Sequence, residues 1–121
     1  MIKKCLKCGA MVEILQDCTC PDCGIVCCNQ PMSEVKENSV DCAVEKHLPI
    51  VEKVDNFLIV SVPHVMENDH YIEYIELRSE KASYKKFLKP GDSAKAVFEC
   101  AGKCRVSAMC NKHGLWSVEV E

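Results

Sequence analysis

Cys104-Arg105-Val106-Ser107-Ala108-Met109-Cys110, followed at once by Asn111-Lys112-His113-Gly114-Leu115-Trp116, is the stretch that decides how this chain folds. Cys104, Val106, Ala108 and Cys110 share one face of an extended strand, a period of two that no helix produces. Cys110 therefore points inward at a strand's end. Beyond the turn, Trp116, Val118 and Val120 again share a face, against Ser117, Glu119 and Glu121. Working backwards, Ala101-Gly102-Lys103 reads as a hairpin turn from a strand in which Ala94, Ala96, Phe98 and Cys100 share a face. Pro90-Gly91-Asp92 is a strong turn ahead of it. Phe57–Val62 and Tyr71–Leu77 are rich in β-branched and aromatic residues. No window of a dozen residues carries a helical stripe. The expected class is all-β, with short strands and turns forming an antiparallel β-sandwich.

Composition narrows the function. At 121 residues the chain holds one ordinary core, or one core plus a small metal-stapled module. Lys and Arg number 15 against 18 Asp and Glu, a net charge of -3, and no basic run or basic-aromatic alternation is present. Nucleic acid is not an expected partner. Met1-Ile2-Lys3-Lys4-Cys5 lacks the apolar stretch of a secretory signal. The longest apolar run, Phe57–Val62, is broken by Ser61 and too short to cross a bilayer. A soluble, cytoplasmic protein with no membrane contact is the expectation.

Eleven cysteines are present, an odd number, with recurring Cys-x-x-Cys pairs and no export signal. That favours metal sites over a disulfide framework and fits an anaerobic or strongly reducing cytosol. Cys5, Cys8, Cys18, Cys20, Cys23, Cys27 and Cys28 all precede Pro31-Met32, after which the chain turns polar through Ser33–Ser39. We therefore expect a cysteine-rich metal module over residues 1–38 and a larger domain over residues 39–121.

The four histidines all sit in short loop-like motifs: His47 ahead of Pro49, His64 and His70 bracketing a polar loop, and His113 three residues after Cys110. Any one of them alone is more often a surface or core residue than a ligand. Cys110 alone is more often a small buried hydrophobe. All four together, with none left over, point to a shared site. Cys110-x-x-His113 is a local chelate, and Gly114 lets the backbone turn sharply past an ion. Four imidazoles and one thiolate suit iron better than structural zinc, which closes at four ligands, usually with two or more thiolates. One coordination position would stay open.

These residues carry a resemblance. Glu45-Lys46-His47-x-Pro49, His64-x-Met66, His70-Tyr71-Ile72-Glu73-x-Ile75-Glu76-Leu77, Lys89-Pro90-Gly91-Asp92 and Cys110-Asn111-x-His113-Gly114-Leu115-Trp116 resemble the superoxide reductases. Cysteines at the front give the desulfoferrodoxin layout. The resemblance implies an immunoglobulin-like sandwich holding iron, cycling between Fe(2+) and Fe(3+), with His47, His64, His70 and His113 equatorial and Cys110 axial. It implies one-electron reduction of superoxide to hydrogen peroxide, with the thiolate pushing electron density onto the iron. Lys46 would steer superoxide against the acidic whole and position protons through water, and Glu45 would ligate the oxidised iron. A solvated charge pair is the ordinary role of such a dipeptide; its place beside His47 raises the functional one. A small rubredoxin-like electron donor and a homodimer also follow from the resemblance.

For the amino-terminal module the resemblance implies a desulforedoxin-like tetrathiolate centre on Cys5, Cys8, Cys27 and Cys28, holding Fe(3+) or Zn(2+). Cys20-Pro21-Asp22-Cys23-Gly24 is a second good knuckle, so Cys5, Cys8, Cys20 and Cys23 form the competing set. The intervening segment is longer than in the family, and its spare thiols are open to freedom, a second metal or ligand exchange. Cys42, Cys100 and Cys104 have no role that transfers; Cys100 and Cys104 flank the expected hairpin turn as two buried thiols. The competing functions are a zinc-ribbon and β-sandwich binding module, which leaves the histidines without a reason, and a pure electron carrier, which an open coordination position opposes.

Overall fold

Residues 1–40 and 42–121 are described by the computed structural model, in which the chain divides into two units, Met1–Lys36 and Glu37–Glu121. The described residues are nearly all β, as expected, with one helical turn, α1 (Val44–His47).

The first unit is built on very short strands. β1 (Ile2–Lys4) pairs antiparallel with β2 (Met11–Glu13) on one side and β5 (Ser33–Glu34) on the other. β3 (Val26–Cys27) and β4 (Gln30–Pro31) form a separate hairpin. Its two central residues, Cys28 and Asn29, have φ of 54° and 63°, the twist that matches a tight hairpin to its strands. A cysteine held at positive φ is uncommon and marks a position with another purpose.

The second unit is a sandwich. β6 (Ile50–Val54), β7 (Phe57–Ser61) and β10 (Lys95–Glu99) make a three-stranded sheet in the order β10-β7-β6. β8 (Ile72–Ser79), β9 (Ser83–Phe87), β11 (Cys104–Cys110) and β12 (Gly114–Val120) make the other, in the order β12-β11-β8-β9. Leu58, Val60, Ala96 and Phe98 from the first sheet meet Ile75, Leu77, Val106 and Ala108 from the second in one core. Alternation along β7 is complete, with Leu58 and Val60 buried and Phe57 and Ile59 exposed. β11 runs through the middle of its sheet, so only Arg105 on it is exposed.

One expectation fails. Ala101-Gly102-Lys103 is not a hairpin turn: β10 pairs with β7, whereas β11 pairs with β8 and β12. The segment crosses from one sheet to the other, so the two apolar faces look at each other across the core instead of lying side by side. Cys100 and Cys104 are both free thiols, the first half-buried and the second buried.

The crossovers put the functional segments at one end. β6 starts opposite the end of β7, at Ile50 and Ser61, and Lys95 at the start of β10 opposes the same residue. There the β7–β8 connection, the β11–β12 turn and α1 come together. Gly91, at φ +88°, donates its N–H to the Met66 carbonyl at 2.8 Å, tying the Pro90-Gly91-Asp92 turn to the histidine-bearing loop.

Candidate metal centre

Cys110 faces the core because it continues the alternation of Val106 and Ala108 along β11. The β11–β8 register runs Met109 opposite Tyr74 and then Cys110 opposite Ile72, so Glu73 is skipped. This extra residue in β8 turns Ile72 onto the same core side as the cysteine. Cys110 is 1% exposed. His113 follows in the turn, its N–H donated to the Cys110 sulfur at 3.4 Å. Gly114 then takes φ +80° to start β12.

The other donors come from two loops. His47 closes α1 and is buried, its Nδ1 2.7 Å from the Ala43 carbonyl oxygen. His64 Nδ1 lies 2.6 Å from the Val65 carbonyl oxygen. Each carbonyl accepts that ring's N–H, which leaves Nε2 of both residues as the lone-pair nitrogen. His70 closes a tight turn with Glu67 through paired backbone hydrogen bonds of 2.9 and 3.2 Å.

One ligand atom from each of His47, His64, His70, Cys110 and His113 lies within 4.8 Å of all the others. His47 Nε2 is 3.1 Å from His113 Nδ1, and the Cys110 sulfur is 3.4 Å from His64 Nε2 and 3.8 Å from His113 Nδ1. An ion about 2.1 Å from nitrogen and 2.3 Å from sulfur sets neighbouring donors roughly 3.0–3.1 Å apart and opposite ones roughly 4.2 Å apart. The spacing fits one ion. His70 Nε2 is buried with no hydrogen-bond partner, a cost that a bound cation removes. Burial, reinforced by the neighbouring imidazoles, holds the His64 and His113 pKa values below the ordinary histidine value, so both stay neutral and free to ligate near neutral pH.

Several supports were not legible in the sequence. Trp116 packs its ring 5.3 Å from that of His47 and donates its indole N–H to the His113 carbonyl at 2.9 Å. Asn111 accepts the Tyr71 N–H at 3.0 Å and donates to the Asp69 carbonyl at 3.1 Å, joining the two ligand-bearing loops. Its position inside Cys110-x-x-His113 was the available signal. The Cys42 sulfur lies 3.6 Å from His47 Nδ1, and no pattern in the sequence placed it there.

Lys46 is exposed and lines an open cleft beside His64, together with Ser61, Met66, Asp92 and Lys95. Glu45, on the same helical turn, is exposed and is not among the residues lining that cleft. Lys112 is engaged elsewhere, 3.8 Å from the Asp69 carboxylate.

In the first unit the sulfurs of Cys5, Cys8, Cys27 and Cys28 gather within 4.8 Å of one another. Cys8 and Cys27 are 3.6 Å apart and Cys27 and Cys28 3.9 Å. A tetrahedral ion with sulfurs at about 2.3 Å needs an edge of roughly 3.8 Å. The Cys8 backbone N–H, 3.5 Å from the Cys5 sulfur, is the largest influence bringing the Cys5 pKa down to about 6. Hydrogen bonding to Cys8 and Cys5, more than burial, pushes Cys27 up to about 12. Four thiolates coexist there only with a cation among them. Cys20 and Cys23 are not in this cluster; Cys23 is bonded instead to Cys18 in a disulfide.

An antiparallel sandwich with four histidines and a cysteine converging at one end, preceded in sequence by a separate four-cysteine cluster, carries two donor sets that could each hold one metal ion. A sequence profile of the desulfoferrodoxin family matches residues 39–119. The desulfoferrodoxin of Nitratidesulfovibrio vulgaris is 46% identical over 123 residues, covering 98% of this chain and 94% of that protein. The superoxide reductase of Treponema pallidum shares the fold over 98% of both chains, at 24% identity and a TM-score of 0.71. The superoxide reductase (neelaredoxin) of Ignicoccus hospitalis, 27% identical, matches 62% of this chain and 78% of its own with a TM-score of 0.52. The chain belongs to the desulfoferrodoxin family.

Proposed function

We propose that this chain is a superoxide reductase, with residues 39–121 as its catalytic domain and residues 1–38 as a desulforedoxin-like metal module. The observation that carries the reading is the convergence of His47, His64, His70, His113 and Cys110 on one ion-sized space. A binding module gives these five donors no task. In this assignment they hold iron, and Cys5, Cys8, Cys27 and Cys28 hold Fe(3+) or Zn(2+).

Iron held by these five residues would supply the single electron that, with two protons, takes superoxide to hydrogen peroxide. The chain's own residues set the conditions. Cys110, as thiolate, would donate electron density to an ion held there. Neutral imidazoles leave the site net positive, which favours an anionic substrate over the background of -3 on the whole chain. Lys46 draws superoxide into the cleft and holds the water that delivers protons. Glu45, exposed on the same helical turn as Lys46 and outside the cleft lining, would have to swing toward the site to offer its carboxylate to the oxidised ion between turnovers. The backbone acceptors Ala43 and Val65 keep the His47 and His64 rings aimed.

The electron donor is a small rubredoxin-like carrier, and the protein acts in the cytoplasm; a chain with nine cysteines outside any disulfide fits a reducing compartment. Among the described residues no helix is long and apolar enough to cross a membrane. The working form is a homodimer. In support, the outward face of the β10-β7-β6 sheet exposes Ile50, Val54, Phe57, Ile59 and Val97, an apolar patch that a second copy would cover. Ile59→Lys should yield a monomer in light scattering, and an unchanged mass would remove this face from the interface.

The deciding experiment is a superoxide pulse on the reduced, iron-loaded protein, following the visible band and the peroxide formed. One peroxide per superoxide with oxidation of the band is expected. An unresponsive band, or half that peroxide yield with oxygen released, would refute the assignment.

A further inference from the structure

Three cysteines stand outside both metal clusters, in the loop between β2 and β3. Cys18 and Cys23 are joined in a disulfide across a sequence separation of 5, their Cα atoms 6.3 Å apart. Cys20, between them, is a free thiol, and all three residues are exposed. The Cys23 N–H reaches the Cys20 carbonyl at 3.4 Å, so these two cysteines are the ends of one turn. A cleft of about 290 Å³ opens beside the bond, lined by Ile14, Gln16, Asp17, Cys18, Cys23 and Ile25 among others.

Two ordinary explanations fit poorly. As a staple the bond closes a loop too short to restrict the unfolded chain much, since that benefit grows with loop length. As a metal site the trio falls short, because among the described residues the donor clusters include none of these three cysteines. An exposed disulfide with a third thiol in the same loop and a cleft along it is arranged for exchange, because attack needs access to a sulfur.

We propose that Cys18, Cys20 and Cys23 form a redox-active thiol site that exchanges disulfides with a small peptide thiol of the glutathione type. An incoming thiolate, seated in the cleft, attacks one sulfur of the pair. The Cys18–Cys23 bond breaks, the second cysteine leaves as a thiolate and takes a proton from water, and a mixed disulfide remains. Cys20 then attacks the protein sulfur of that mixed disulfide and expels the external thiolate, moving the bond within the loop. Alternatively a second external thiol completes the reduction, so that two external thiols become one external disulfide and the protein gains two thiols. The site uses no donor from either metal cluster and stands apart from the superoxide assignment.

The test takes the whole chain with its metals in place through glutathione buffers from reduced to oxidised. Samples are quenched in acid, alkylated and mapped by mass spectrometry on the peptide carrying the three cysteines. The expected result is a Cys18–Cys23 bond that opens in reduced buffer and closes again in oxidised buffer, while the visible spectrum stays constant. Cys20→Ser should accumulate the glutathione mixed disulfide roughly fivefold above the unaltered chain, having lost its resolving thiol. A bond that resists millimolar glutathione in the native chain, or three open thiols in oxidised buffer, would overturn the site. Equal adduct levels in Cys20→Ser and the unaltered chain would overturn the role of Cys20.

Discussion

At the scale of single residues, the question is which charges act on an approaching anion. Lys46 and Lys95 line the cleft beside His64, whereas Lys112 faces the Asp69 carboxylate. A unit charge acting over roughly 7 Å in water contributes about 0.6 kcal/mol, or about threefold in encounter rate, and more where protein lowers the dielectric. Lys46→Ala should therefore slow the reaction with superoxide about threefold to tenfold at low ionic strength. The difference should shrink in ~1 M salt, where the screening length is about 3 Å. Lys112→Ala should change the rate far less. Rates measured after a superoxide pulse across a salt series check both, and a Lys46→Ala rate equal to the unaltered one would take Lys46 out of the mechanism. The clustering of His47, His64, His70, Cys110 and His113 was legible in the sequence because these residues are chemically distinctive and lie in short loop motifs. Their orienting partners were not, because the acceptors at Ala43 and Val65 are backbone carbonyls that any residue carries.

At the scale of strands, Cys104 reports on how the crossover from β10 to β11 is buried. Burial, with Cys100 nearby, raises its thiol from 9.0 to about 11. Unfolding exposes the thiol, so between pH 9 and pH 11 the unfolded chain has lost a proton that the folded chain keeps. Stability must then fall as pH rises through that window and level off above it. Denaturation midpoints of the unaltered chain should drop across this range more than those of Cys104→Ala, which has no proton to lose. Parallel curves for the two would show that Cys104 does not stay protonated in the fold. The same segment shows where reading by pattern stops. Gly102 and its neighbours look alike in a hairpin and in a crossover; what separates them is that β11 finds β8 and β12, a pairing set by distant residues. β6 and β9 also escaped notice, because both are edge strands, mostly exposed and without clear alternation. The central strands β7, β8 and β11 were legible because burial imposes the alternation or dense apolar run that a sequence displays.

At the scale of the molecule, the second unit contains everything its site needs. All five donors and every residue of the sandwich core fall between Glu37 and Glu121, and the family match itself covers only residues 39–119. The start of this unit is fixed by what it does for an edge strand. Asn38, at φ 54°, donates its side-chain N–H to the Ser117 carbonyl at 3.2 Å and accepts the Ser117 N–H at 2.9 Å. Its own N–H reaches the Leu115 carbonyl at 2.8 Å, and Glu37 pairs with Arg105 at 2.7 Å. The Asn38 contacts satisfy the Leu115 and Ser117 backbone groups on the free edge of β12, which would otherwise offer themselves to another strand. A fragment of residues 37–121 should fold, bind one iron and keep the histidine-thiolate band and its response to superoxide. A fragment of residues 39–121 should bind the same iron but lose the edge contacts, at about 1–3 kcal/mol for the hydrogen bonds removed. For a unit of this size that lowers the melting temperature by roughly 4 °C or more. Melting curves of the two iron-loaded fragments decide the point. If the longer fragment fails to hold iron, the catalytic unit depends on residues 1–36; if both melt together, Asn38 does not cap the sheet.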